Sequence, residues 1–305
     1  MALYDVIVVG GGAAGMTAAL YALRNGKTVL ILEKEGFGGQ ITHSPKVENY
    51  PGTMSMSGNE FADHLFEQIQ AQGAEFEIEA VTEIVDGEIK TVKTEDGNAY
   101  EGRTVILATG VKHRMLGLEG EEDLVGEGIS FCAVCDGDFY KGKTVCMAGG
   151  GNSALQEAIL LAGKCAKVII LQDLPVLTGE AKLQDVLKRQ DNVEVHTGMR
   201  IIALETENGE FRGVRTLNTE TGEETVFTAD GLFVAIGLIP ENDAFRNLVL
   251  LDERGYFDTD EGCLTKTPGI YVAGDCRRKN VRQLTTAVAD GATAALAACR
   301  YLQNL

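Results

Sequence analysis

Cys132-Ala133-Val134-Cys135-Asp136 places two thiols two residues apart, with a carboxylate directly after them. Such a pair cycles between dithiol and disulfide, and the thiolate is its reacting form. At the start of a helix its attacking pKa is lowered by the helix N-terminus. Asp136 is the candidate proton donor to the leaving thiolate, provided partial burial raises its carboxyl toward neutrality. A zinc site needs two more ligands, and no second closely spaced Cys or His pair occurs, so no metal is expected. Cys146, Cys165, Cys263, Cys276 and Cys299 are scattered and read as small buried side chains.

A redox pair needs an electron source. Gly10-Gly11-Gly12-Ala13-Ala14-Gly15 follows the apolar run Val6-Ile7-Val8-Val9 and reads as a dinucleotide-binding turn between strand and helix. Gly10 permits the bend, Gly12 lets backbone approach a pyrophosphate, and Gly15 lets the helix pack on the strand. Glu33 ends the next strand, Val29-Leu30-Ile31-Leu32-Glu33, where a carboxylate can take both hydroxyls of an adenosine ribose.

The same unit recurs at Val145 to Ala162, with Gly149-Gly150-Gly151-Asn152-Ser153-Ala154 as a possible second nucleotide site. Each unit has a later buried-strand partner ending at glycine, Val105 to Gly110 and Leu232 to Gly237. A third signature, Gly269 to Asp275, precedes an alanine-rich helical stretch from Thr286 to Leu302 and has no counterpart in the middle section. The expected fold is therefore α/β, with two Rossmann-like three-layer nucleotide-binding domains, the second nested in the first. Residues 1–113 and 245–305 make the first and 114–244 the second, with crossings near 112–118 and 239–246 acting as a two-strand hinge. Segments 76–101 and 203–229 alternate in polarity around turn signals and read as appended antiparallel strands.

The 305 residues are 45% hydrophobic, enough for two cores. No basic leader opens the sequence and no apolar run approaches the roughly 20 residues of a membrane span, so a cytoplasmic location is expected. A formal charge of -18 argues against nucleic acid and anionic membranes. An acidic electron carrier would need a local basic landing site, either Arg277-Arg278-Lys279 with Arg282 or Lys112-His113-Arg114.

These motifs stand in the order found in the low-molecular-weight thioredoxin reductases, which the chain resembles over nearly its whole length. The resemblance runs through Gly10 to Gly15, Gly38-Gly39-Gln40, Val47-Glu48-Asn49-Tyr50-Pro51-Gly52, Ala108-Thr109-Gly110, Cys132 to Gly137, and Gly274-Asp275 with Arg282-Gln283. It implies FAD on the first domain, with Glu33 at the ribose, Gln40 and Asn49 near the isoalloxazine, Asp275 at the ribityl chain and Gln283 beside the ring. Lys34, Gly39, Thr109, Gly110, Gly274, Arg282 and Leu284 complete that expected cofactor set. It further implies a homodimer, a thioredoxin-like protein disulfide as acceptor, Cys135 as the flavin-proximal sulfur and Cys132 as the exchanging one. A single pair cannot face flavin and a bulky protein disulfide together, so rotation of the nested domain is implied as well.

One stretch departs from the family. Ordinary members carry His-Arg-Arg-x-x-x-Arg after the strand that follows the second glycine turn, and those arginines pair with the 2′-phosphate of NADPH. Here Lys167-Val168-Ile169-Ile170 runs into Leu171-Gln172-Asp173-Leu174-Pro175-Val176-Leu177, without a cation. Losing several charge-assisted contacts, about 1.5–3 kcal/mol each, disfavours NADPH. Three donors stay open: NADH, with Asp173 on an unphosphorylated ribose; a second flavin on the second turn; or reduced ferredoxin, the second turn then being scaffold. The expected activity is FAD-dependent reduction of a protein disulfide through Cys132 and Cys135, with a non-thioredoxin acceptor or a redox-sensing flavoprotein without turnover as alternatives.

Overall fold

The computed structural model describes residues 2–44 and 46–305, which divide into two compact units, Met1–Lys112 with Ile239–Leu305, and His113–Leu238. The second crossing falls at 238/239, ahead of the expected 244, because Asn242 is already buried inside the first unit.

In the first unit, parallel strands Glu75–Ile78, Val29–Glu33, Leu3–Val9 and Ala99–Leu107 lie side by side in that order. Ile270–Val272 adds in parallel to the end of the last of these, while Lys90–Thr94 and Val81–Val85 extend its beginning as antiparallel strands. The alternation of side chains divides each central strand between two cores. Val6, Val8, Ile31 and Ile106 face helices Ala13–Arg24, Gly58–Ala71 and Leu284–Leu302, whereas Ile7, Val9, Leu32 and Leu107 face Phe245, Val249 and Phe257. Each fully buried aliphatic side chain contributes about 1.5–3 kcal/mol. The first and last of these helices approach closely because they are built of small residues. A Cβ on Gly291 would lie 2.2 Å from the Ala14 carbonyl oxygen.

In the second unit, Val193–Thr197, Lys167–Gln172, Thr144–Ala148, Gly231–Val234 and Ile129–Ser130 form an all-parallel sheet. Helix Asn152–Ala162 covers one face through Ala154, Leu155, Ala158 and Leu161. The other face meets an antiparallel sheet of Met199–Glu207, Glu210–Asn218 and Glu224–Thr228. The expected α/β architecture, with the second unit inserted into the first, is the one found; no helix among the described residues is long and apolar enough to cross a membrane.

Candidate active site

The redox pair lies in the second unit. Cys132 and Cys135 are bridged, with their Cα atoms 5.3 Å apart. Cys132 is the extended residue that opens the one-turn helix Ala133–Asp136, and its Sγ accepts the Cys135 N–H at 3.2 Å. The local fold thus supplies the sulfur expected to exchange with a backbone donor, which favours its thiolate. Both sulfur-bearing residues are half-buried, while Val134 between them is exposed.

Asp136 is buried at the end of this turn. The Ser130 hydroxyl donates to its Oδ2 at 2.6 Å and accepts the Cys132 N–H at 3.1 Å. Asp136 Oδ1 is buried without a hydrogen-bond partner, which leaves it as the oxygen to hold a proton. Burial raises the carboxyl pKa, and the Ser130 hydrogen bond works the other way. Neither Ser130 nor Glu157, whose Oε2 accepts the Ala133 N–H at 3.2 Å, was singled out by sequence pattern. Their chemistry comes from burial and from the packing of separate elements, and no spacing rule marks either.

The first unit collects its expected residues around the strand ends. Gly10 makes the turn at φ +108°, where a Cβ would strike the Ala108 carbonyl oxygen at 2.3 Å. Helix Ala13–Arg24 starts at Gly12 with no side-chain cap and no acidic residue in its first turn. Glu33 accepts N–H bonds from Gly11 at 2.5 Å and Glu35 at 3.0 Å, and retains lone pairs for two hydroxyls. The Lys34 ammonium pairs with Glu241. Gly39 and Gln40 open the short turn Gly39–His43, with Gln40 exposed. Asn49 donates to Gln283 Oε1 at 3.3 Å, which joins two expected ring neighbours 234 residues apart in sequence. Gln283 caps helix Leu284–Leu302. Thr109, beside Gly110, donates to the buried Asn242 at 2.8 Å, and Asn242 in turn donates to the Gly255 and Cys276 carbonyls.

Asp275 Oδ1 is buried and faces the Lys279 ammonium at 3.0 Å, its counterion. Burial raises the Asp275 pKa and Lys279 opposes that shift. An uncapped helix start, an acid at the next strand end and a carboxylate placed directly after Gly274 fit the pyrophosphate, ribose and polyol of FAD.

One expectation about charge is corrected. Arg277 and Lys279 are 3% and 5% exposed and are engaged with Asp290, Glu261 and Asp275. The Arg282 guanidinium donates to the carbonyls of Asp275, Lys279 and Arg277 and lies over the Tyr256 ring. This cluster braces the loop after Gly274; of its members only Arg278 is well exposed, and it pairs with Asp258. Lys112 also pairs with Glu35 and Glu241 but stays at the surface, as does Arg114.

At the second turn, helix Asn152–Ala162 also starts without a side-chain cap, at Gly151, with Ser153 and Ala154 in its first turn. Asn152 exchanges hydrogen bonds with Glu180. The Gly149 N–H donates to the Leu171 carbonyl, as the Gly10 N–H does to that of Leu32. Register therefore makes Gln172 the counterpart of Glu33. Gln172 is buried, and Asp173 stands one residue further on and exposed.

A family model described as pyridine nucleotide-disulphide oxidoreductase matches residues 4–291. The thioredoxin reductase of Listeria monocytogenes is 40% identical over 304 residues, 99% of this chain and 95% of the relative. A Clostridium pasteurianum protein described as the 34.2 kDa protein in rubredoxin operon is 38% identical over 302 residues, 98% of this chain and 97% of the relative. The crystal structure of thioredoxin reductase from Streptococcus pyogenes superposes with a TM-score of 0.94 at 38% identity, covering 100% of this chain and 99% of that one.

Proposed function

This chain belongs to the pyridine nucleotide-disulphide oxidoreductase family, in its thioredoxin reductase branch, and we propose that it reduces thioredoxin or a similar small protein disulfide with electrons that do not come from NADPH. The observation that carries the reading is the bridged Cys132–Cys135 pair with a buried, half-satisfied Asp136 at its side. FAD, held by the Gly10 to Gly15 turn, Glu33, Asp275 and the Asn49–Gln283 pair, supplies the electron pair when bound.

Two electrons and two protons convert the bridge to a dithiol. Cys132 then passes its proton to Asp136 and its thiolate attacks the acceptor disulfide: a bond forms from Cys132 Sγ to one acceptor sulfur, the acceptor S–S bond breaks, and the leaving thiolate takes that proton from Asp136. Cys135 passes its proton to Asp136 and attacks Cys132 Sγ. The protein bridge re-forms, and the second acceptor sulfur leaves with that proton. Following the family pattern, Cys132 is the exchanging sulfur, Cys135 the flavin-side one, and the working form a homodimer.

The donor reading rests on the second unit. No cation occupies positions 173 to 178, and the place that holds Glu33 in the first unit holds the amide Gln172 in the second. That argues against a ribose carboxylate at Asp173 and favours ferredoxin or a second flavin over NADH. The test is steady-state thioredoxin reduction with catalytic amounts of the FAD-loaded protein, offering NADPH, NADH and reduced ferredoxin in turn under anaerobic conditions. Turnover with ferredoxin and none with micromolar NADPH is expected; rapid turnover with NADPH overturns the donor reading, and no thioredoxin reduction with any reductant overturns the acceptor reading.

A further inference from the structure

Glu157 sits on helix Asn152–Ala162, the helix that starts at the second glycine turn, yet its Oε2 reaches across to the Ala133 N–H at 3.2 Å. Ala133 is the first residue of the redox helix, bonded in sequence to Cys132. Two backbone donors therefore stand at the start of this turn, and they are divided between two acceptors: Cys135 N–H to Cys132 Sγ, and Ala133 N–H to Glu157.

We propose that Glu157 is a positioning residue that sets the reactivity of Cys132 by holding the Ala133 amide and placing a carboxylate beside the sulfur; the proposal rests on the disulfide-reductase reading above. An anionic Glu157 acts on the Cys132 thiolate in two ways. It occupies a donor that would otherwise stabilise sulfur anion, and it adds like charge nearby.

The switch lies in the working pH range. Burial pushes the Glu157 carboxyl up to about 7, against the lowering effect of the Ala133 hydrogen bond. Charged groups on the elements packed around this helix are Asp136 on the redox helix, the Lys164–Asp138 pair beyond it, Lys182 and Asp185 on helix Ala181–Leu187, and Lys167 at the start of strand Lys167–Gln172, paired with Glu194. Among the described residues none is ion-paired with Glu157. Thiolate formation at Cys132 and proton loss at Glu157 must then oppose one another, whichever titrates first.

The test uses the full-length FAD-loaded protein carrying Cys135→Ser, which leaves Cys132 as the one thiol of the pair, the other five cysteines being buried. The rate of Cys132 carboxamidomethylation by iodoacetamide is followed against pH by peptide mass, with and without Glu157→Gln. The amide oxygen of glutamine can still accept from Ala133, so the variant removes charge and keeps the bond. Alkylation about five- to ten-fold faster at pH 7, with a broad two-step pH profile becoming a single step, is the expected result. Superimposable profiles overturn the proposal. Should Glu157→Gln fail to fold, the Ala133 amide resonance of the Cys135→Ser protein decides: a pH midpoint between about 6 and 8 supports the assignment, and an amide that does not titrate refutes it. Neither readout involves flavin reduction or a protein acceptor, so failure of thioredoxin reduction and failure of this proposal are told apart.

Discussion

Ser130 has one hydroxyl proton, and it is committed to Asp136 Oδ2 while the oxygen accepts from Cys132 N–H. Removing it takes away the hydrogen bond that opposes burial, so the Asp136 pKa rises further. On the proposed role of Asp136 as the acid, protein-disulfide reduction falls as pH rises through its pKa. In Ser130→Ala the alkaline limb of the kcat/KM profile should therefore move to higher pH, and Ser130→Thr should restore it; an unmoved limb in the alanine variant would detach Ser130 from the acid. Glu157 makes a separate prediction about stability. Its folded pKa of about 7 lies above the ordinary 4.5, so the native state holds a proton that the unfolded chain releases between those values. The associated stability is complete below about pH 4.5 and lost as pH rises through about 7. Relative to wild type, Glu157→Gln should thus gain up to about 3 kcal/mol between pH 4.5 and pH 8, read from urea denaturation of the FAD-loaded protein at each pH.

Asn242 ties the returning chain to the first unit. It is 1% exposed and joins Thr109 to the carbonyls of Gly255 and Cys276 in a single three-bond knot. Asn242→Ala takes a partner from the half-buried Thr109 hydroxyl and Gly255 carbonyl and from the Cys276 carbonyl, which keeps the Phe257 N–H, and should cost about 1–3 kcal/mol. Because Thr109 lies among the residues assigned to FAD, the variant should also shed flavin on gel filtration. Retention of colour and of wild-type denaturation midpoint would show that the knot is dispensable. The strand, turn and helix units were legible in the sequence because glycine spacing and runs such as Val6 to Val9 are local signals. Asp136 and the Cys pair were legible for the same reason. Asn242, Ser130 and Glu157 were not, since each acts through a partner on a different element. The assignment of Asp173 to a ribose counted residues from the glycine turn; strand register, which counting does not report, puts Gln172 at that place. The basic run Arg277 to Lys279 looked like surface because its buried acidic partner, Asp290, lies on a helix 11 to 13 residues further on.

At the scale of the whole molecule, the charge of -18 governs encounter. Arg277 and Lys279 are buried in ion pairs, which leaves their cluster little cation to offer an acidic carrier beyond Arg278. The second-order rate constant for reduction by an acidic electron carrier should rise between about 10 and 150 mM salt as repulsion is screened; a steep fall would reveal a basic landing site elsewhere. The two nucleotide-binding units differ at the corresponding strand end, Glu33 in one and Gln172 in the other. The claim beneath all of this is that bound flavin and the bridge at 132/135 share electrons. It is tested by loading the protein with FAD, adding one equivalent of dithionite per flavin without oxygen, and counting thiols at Cys132 and Cys135 by alkylation and mass spectrometry. Two new thiols for each flavin that returns to the oxidised state are expected; a chain that takes up no FAD, or a bridge that stays closed while the flavin stays reduced, would contradict it.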